Sequence, residues 1–386
     1  MDNRIRNIDA IRGVALLGIF VVNIQAFSSL YYGSGLLPPD GRTGMDAALA
    51  LIISTAFELK FYLLFSYLFG YSMTLQMQSA ERIGVSYMPR ILRRQAGLFV
   101  IGILHAVLLF HGDILVTYSV LGRLLLALRN SPDTTKLKLA CGIIGVTAAL
   151  WLMIAFVQWG EPARDDSEMY QAQAEAAMHS LRATPLDIIG QHLSGLWTVL
   201  PMLLALQGPC ALAMFLLGFV SGKYQLLQYP ERYTPHLNKA ILWGVLVGIP
   251  GGLAYAWGTQ FMPGSAAETA MLALGILTAP FLTMGYLGAL LKLFDSGRLE
   301  RGRNALANAG RMALTNYLLQ SLICSFLFQG YGLALIGKVS VTQTFFFVLP
   351  VFGLQLLMSR WWLTRFAYGP VEWILRAITI GRWPAC

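Results

Sequence analysis

The chain has 386 residues, 56% of them hydrophobic and only 12% charged, with a formal net charge of +9. A soluble domain carries roughly a quarter charged residues, so this composition excludes a water-exposed globule. At ~20 residues per span, ten spans would also leave too little chain for a large extramembrane catalytic domain. The positive charge bears first on membrane sidedness, and nucleic acid is not an expected partner.

Ten apolar runs follow along the chain, at 14–31, 61–78, 96–110, 114–128, 139–157, 196–220, 241–257, 269–291, 313–328 and 342–358. Each reads as a helix crossing the lipid bilayer. The first is too long for a secretory signal, and Asp9 and Arg12 at its entrance are unlike a signal's basic leader. The expected fold is all-α, a polytopic integral membrane protein with about ten transmembrane helices.

The gaps between runs alternate in charge. One set holds 21 of the 28 Lys and Arg: Arg4 and Arg6, then Arg82, Arg90, Arg93 and Arg94, then Arg129, Lys136 and Lys138. It continues with Lys223, Arg232 and Lys239, then Lys292, Arg298, Arg301, Arg303 and Arg311, then Arg360, Arg365, Arg376 and Arg382. The other set holds only Arg42, Arg164, Arg182 and Lys338. Basic residues stay on the cytoplasmic side, so both termini are expected there.

The one sizeable external gap, 158–195, carries Glu161, Asp165, Asp166, Glu168, Glu175 and Asp187, and its Ala- and Gln-rich stretch 169–181 reads as helical. It suits a solvated cap over the outer face, with a substrate-recognition lid as the alternative. At the other end, 360–383 mixes Trp361, Trp362, Trp373 and Trp383 with four arginines, as does a segment lying on the inner leaflet. Cys141, Cys210, Cys324 and Cys386 lack metal-ligand spacing and read as packing residues, with no disulfide framework. Gly218 to Gly222, and Gly244, Gly248 and Gly252, are small-residue steps suited to close helix packing.

A polar group at membrane depth is costly, so it marks either a functional site or a buried structural pair. In the first run Arg12 and Asn23 are eleven residues apart, which places them on one helical face about 16 Å apart, and Asp9 lies one turn from Arg12. The third run repeats this spacing with Arg94 and His105, and Arg90 and Arg93 flank the former. Just beyond, His111, Gly112 and Asp113 form a tight external turn. A buried imidazole oriented by a carboxylate is a general-base arrangement, here His105 with Asp113. Guanidinium groups at the inner end of the same face suit phosphates, although the sidedness rule alone also places them there. An elongated donor with phosphates inside and a reactive end near His105 fits, as an acyl-CoA such as acetyl-CoA would. His105, His111 and Asp113 lack the spacing of a zinc helix, and no metal is expected. Further polar candidates are Glu58 and Lys60, which enter the second run from outside, Tyr118, and Asn316, Tyr317 and Gln320 in the ninth run. Glu372, after Gly369 and Pro370, reads as a helix cap.

These segments resemble the YeiB-like family of bacterial membrane proteins. The likeness rests on Asn7-Ile-Asp9-Ala-Ile-Arg12-Gly13 with Val22-Asn23, on Phe61-Tyr-Leu-Leu-Phe-Ser-Tyr-Leu-Phe-Gly70, and on Gly102-Ile-Leu-His105-Ala. Gly112-Asp113-Ile-Leu with Tyr118, Gly310-Arg311-Met-Ala-Leu-Thr-Asn316-Tyr317, and Gly369-Pro-Val-Glu372-Trp extend it over the whole chain. The family's N-terminal half is similar to the transmembrane acyltransferase superfamily, which implies two halves here. These are 1–222, acyltransferase-like with the external loop 158–195, and 223–386, of the YeiB-like type with the interfacial tail 360–386. The resemblance implies a cytoplasmic acyl donor, an external sugar or lipid-linked acceptor and a bacterial inner-membrane location. The sugar-acetylating branch carries its catalytic histidine just after the first span, whereas no histidine precedes His105 here, so His105 is assigned from the residues alone.

The leading expectation is an acyltransferase in which Arg12, Arg90, Arg93 and Arg94 bind the donor, His105 and Asp113 deprotonate a hydroxyl or amine, and Asn23 supports the oxyanion. A transporter is the alternative, motivated by the Gly/Pro-interrupted stretches at Ile249-Pro250-Gly251-Gly252 and Ala279-Pro280, and a non-catalytic scaffold is a third. A homodimer is a candidate assembly.

Overall fold

The computed structural model describes residues 3–36, 38, 41, 44–160 and 167–384. Arg42, Glu161, Arg164, Asp165, Asp166 and Cys386 of the sequence reading lie outside them, as does the side chain of Arg4. The described residues form helices joined by short turns, with no strand among them. In chain order these are α1 (Asn3–Ser28), α2 (Gly44–Ala56), α3 (Lys60–Arg82), α4 (Tyr87–Leu108), α5 (Leu115–Ala127) and α6 (Asp133–Gly160). The external helix α7 (Ser167–Arg182) is followed by α8 (Pro185–Met202), which runs through a widened turn into α9 (Gly208–Lys223). Helix α10 (Thr234–Trp243) runs likewise into α11 (Ile249–Phe261), before α12 (Ala266–Asp295), α13 (Glu300–Arg311), α14 (Ala313–Phe328), α15 (Val341–Leu363) and α16 (Pro370–Ile380).

All ten expected runs fall on helices, and these helices differ in length. Eight helical stretches are long and apolar enough to cross a membrane, while α5 and α14 are apolar but only 13 and 16 residues long. At 1.5 Å per residue they cover about 20 and 24 Å, short of a ~30 Å hydrocarbon core. Broad apolar surfaces face outward: Phe156 on α6 is 81% exposed and Leu357 on α15 is 67% exposed. In water such surfaces would drive aggregation; around a polytopic bundle they are the lipid-facing side.

The termini of the helices sort as the charge alternation predicts. Lys223 reaches Asp133 at 2.9 Å, Lys292 reaches Asn238 at 2.6 Å, and Arg311 reaches the Ala367 carbonyl at 3.2 Å, each pair joining gaps expected inside. At the other end Gly337 donates to the Ser28 carbonyl at 2.7 Å, and Thr342 donates to Asp46 at 2.8 Å. Arg182, the last residue of α7, donates through Nε to the Ile336 carbonyl at 2.9 Å, which ties the expected external helix to the outer loops.

Close backbone approach at glycine holds the bundle together. A Cβ on Gly310 would lie 1.8 Å from the Asp9 carbonyl oxygen, and one on Gly218 would lie 1.9 Å from that of Tyr67. Helices α1 and α13, and α3 and α9, therefore touch main chain to main chain, the geometry that small residues permit in a membrane. Gly222 and Gly248 make similarly tight contacts with Thr74 and Leu282. The interruption before Pro250 is a widened turn at Gly244–Gly248, whereas α12 continues through Pro280.

Helix α2 has no counterpart in the sequence reading, being too short for a span. Together α2 and α3 form one apolar stretch, Gly44–Arg82, broken at Leu59, whose φ of 64° is costly for a branched side chain. The break is deep. The Phe61 ring packs on Gly18 of α1, ten residues or about 15 Å from the outer end of that helix, and Thr283 of α12 donates to the Lys60 carbonyl at 3.1 Å. Glu58 and Lys60 are therefore not at the outer entrance of a span, as expected, but buried at a break within it.

Candidate functional site

His105 stands one turn from the end of α4, and Gly102 sets its surroundings. A Cβ on Gly102 would meet the Val116 nitrogen at 2.7 Å and Asp113 Oδ2 at 2.9 Å, so its absence lets the start of α5 press against α4. Asp113 then has two tasks. Its Oδ2 accepts from the Val116 N–H at 2.8 Å, capping α5, and its Oδ1 lies 2.8 Å from His105 Nδ1. A carboxylate accepts, so Nδ1 carries the proton and Nε2 is left as an acceptor. That nitrogen lies 2.8 Å from Ser321 Oγ on α14. His105, Asp113 and Ser321 are all buried, and the ordering carboxylate, imidazole, hydroxyl is that of a nucleophile-activating relay.

Below this trio lies a cavity of about 490 Å³. Arg12, Arg90, Arg94, Arg311 and Arg376 line it, all from the expected inner half, and Tyr118 and Tyr317 close its deep end. The Tyr317 ring packs 5.0 Å from that of His105, so one aromatic side chain separates the cavity from the imidazole. Arg12 is held by Asp9 at 2.6 Å and Ser72 at 2.5 Å. Arg90 and Arg94 make neither an ion pair nor a side-chain hydrogen bond with any described residue. The one carboxylate in the lining, Glu372, is already engaged: it accepts from the Leu314 and Thr315 N–H groups at 2.7 and 3.0 Å. It therefore caps the N-terminus of α14 from the first turn of α16, and burial raises it above the ordinary glutamate range. Unpaired, half-buried guanidinium groups are stabilised by an anion.

The other expected residues divide. Asn23 is half-buried on the α1 face that carries Arg12, Leu16 and Ile19 into the cavity wall, and its amide bonds to no described side chain. Arg93, one residue from Arg94 and so about 100° around the helix, turns to Gly381 and does not line the cavity. The Tyr118 hydroxyl bonds Ser66 at 2.6 Å. Asn316 is structural: its amide donates to the Ala309 carbonyl at 3.1 Å and to Ser359 at 2.9 Å. Gln320 likewise donates to Gln355 at 2.9 Å. His111 is packed in the turn against Gly195 and lies 5.8 Å from His192, ring to ring. Burial, and secondarily His192, pushes its imidazole down to about 4.

Sequence reasoning missed Ser321, Ser72, Arg311 and Arg376. The signal for Ser321 was present as a polar stripe, Tyr317, Ser321 and Ser325, at four-residue spacing on an apolar helix.

The chain is 32% identical to the uncharacterized protein YxaH of Bacillus subtilis, over 99% of this chain and 96% of that relative. It belongs to the YeiB-like family. The uncharacterized protein YeiB of Escherichia coli is 30% identical over 97% of this chain and 95% of its own length. An uncharacterized 39.9 kDa protein from the amylase 3' region of Bacillus acidopullulyticus is 27% identical over 99% and 95%. Residues 221–382 match the family model described as a protein of unknown function, DUF418. That match takes in Arg311, Tyr317, Ser321 and Glu372, so the cavity is built jointly by this C-terminal region and by α1, α3, α4 and α5.

Proposed function

We propose that this member of the YeiB-like family is an acyltransferase of the bacterial inner membrane, moving an acyl group from cytoplasmic acyl-CoA to an external hydroxyl or amine acceptor on a glycan or lipid. One observation carries the reading: an arginine-lined cavity whose deep wall, Tyr317, rests on the His105–Asp113–Ser321 relay. The donor's phosphates would take Arg90 and Arg94, with Arg311 and Arg376 nearby, and its thioester would point along the cavity toward Tyr317. Displacement of Tyr317 and rotation of the Ser321 hydroxyl off His105 Nε2 would open that nitrogen to the acceptor, whose proton it takes as the acceptor attacks the thioester carbon. Asp113 holds the imidazolium, the C–S bond breaks, and the proton passes to the departing coenzyme A thiolate. The free amide of Asn23 would donate to the thioester oxygen as charge develops there. The deciding experiment is acetyl-CoA binding and turnover by the purified full chain. Binding lost in Arg94→Ala together with turnover lost in His105→Ala supports the reading, and absence of any coenzyme A binding removes it.

A transporter is the second reading, favoured by the broken α2–α3 stretch with Glu58 and Lys60 buried at its break, a geometry that transporters use for solute sites. Solute accumulation in proteoliposomes without a covalent product would favour it.

A further inference from the structure

A second cavity, of about 280 Å³, opens among residues of the outer loops and shares no lining residue with the arginine cavity. Its floor is the break between α2 and α3, where Glu58 is 9% exposed. Glu58 is held by hydroxyls: it accepts from Tyr32, from Ser54 at 3.1 Å and from Tyr255 at 2.8 Å. Lys60 turns away from the opening, donating to the Ser54 carbonyl at 3.0 Å with its ammonium 5.4 Å from the Tyr255 ring. One wall carries Gln25, 3% exposed, whose Oε1 accepts from Thr344 at 3.1 Å while its Nε2 has no partner. Another carries Glu268.

The lining selects its ligand by exclusion. An anion is disfavoured because Asp46, Glu58 and Glu268 line the space and, among the described residues, no Lys or Arg does. A simple ammonium would satisfy the carboxylates but leave the buried Gln25 N–H groups unpaired, which is costly. A hydroxyl both donates and accepts, so an array of hydroxyls satisfies the carboxylates and the amide together, and the tyrosine rings offer apolar faces to C–H groups.

We propose that this outward cavity binds a small polyhydroxylated solute of monosaccharide size, with Gln25 donating to it and Glu58 and Glu268 accepting from it. The assignment is independent of acyl transfer and stands equally if the chain moves solute without chemistry.

The test is calorimetric titration of the full chain in detergent micelles with glucose, galactose and myo-inositol, with choline chloride and sodium phosphate as comparison probes. At least one polyol is expected to bind saturably in preference to choline and phosphate. Loss of the charged acceptor in Glu58→Gln is expected to weaken it by about ten- to a hundredfold. Gln25→Met, which keeps volume and removes the amide, is expected to weaken it by about threefold to tenfold, and it decides the matter if Glu58→Gln fails to fold. Absence of polyol binding, preference for choline or phosphate, or unchanged affinity in a folded Gln25→Met variant would overturn the assignment.

Discussion

His105 Nδ1 and Asp113 Oδ1 lie 2.8 Å apart inside the helix bundle, with the second carboxylate oxygen spent on capping α5. The pairing orients the imidazole so that Nε2 faces Ser321 on a helix more than two hundred residues away in the chain. A general base positioned this way contributes about 10²–10⁴ to rate. Acyl transfer from acetyl-CoA is therefore expected to fall by about that factor in His105→Ala. Asp113→Asn, which favours the wrong tautomer, is expected to lose a comparable amount while coenzyme A binding is retained. Wild-type turnover in His105→Ala would refute the assignment.

Among the described residues Arg94 and Arg90 make no ion pair or side-chain hydrogen bond. Arg94→Ala is expected to weaken coenzyme A binding by about ten- to a hundredfold, the worth of a charge-assisted hydrogen bond, and Arg94→Lys by less. Arg93→Ala, which changes a side chain turned to Gly381, is expected to leave the affinity within about twofold. Titration calorimetry in low and high salt distinguishes the three, because the screened contribution is that of the arginines.

The α1–α13 contact leaves no room for a side chain. Gly310→Ala would set its Cβ 1.8 Å from the Asp9 carbonyl oxygen, and the backbone shift needed is expected to cost about 1–3 kcal/mol. Gly142→Ala, where nothing lies within 4 Å, is expected to be neutral or mildly stabilising because alanine is the better helix former. Thermal unfolding in detergent reads both, and equal stability of the two variants would contradict the packing.

His111 gives a pH dependence with a definite sign. Unfolded, its imidazole titrates near 6.5, whereas folded it is pushed down to about 4 by burial and His192. Between those values the unfolded chain binds a proton that the folded chain refuses. Its contribution to stability is therefore complete above about pH 6.5 and is lost as pH falls toward 4. The unfolding temperature is expected to drop over this window, and His111→Phe is expected to flatten the drop. An identical pH profile in the variant would exclude His111 as the cause.

Membrane residence, the all-helical fold and the sorting of gaps to two ends were legible along the chain because they depend on local properties. An apolar run must satisfy its backbone within its own helix, and basic residues mark one side wherever they occur. The Asp9–Arg12 and His105–Asp113 pairs were readable for the same reason, each lying within a turn or a tight connection. What tertiary structure alone decided is which side chains meet across helices. Ser321 reaches His105, Arg94 and not Arg93 faces the cavity, Glu372 caps α14, and Glu58 with Lys60 lies at a broken helix and not at a membrane surface. Each of these is set by the rotation and depth of a helix against its neighbours. In lipid those follow from glycine contacts such as Gly310 on Asp9 and Gly218 on Tyr67, because small-residue packing between helices leaves no periodic signature within either one.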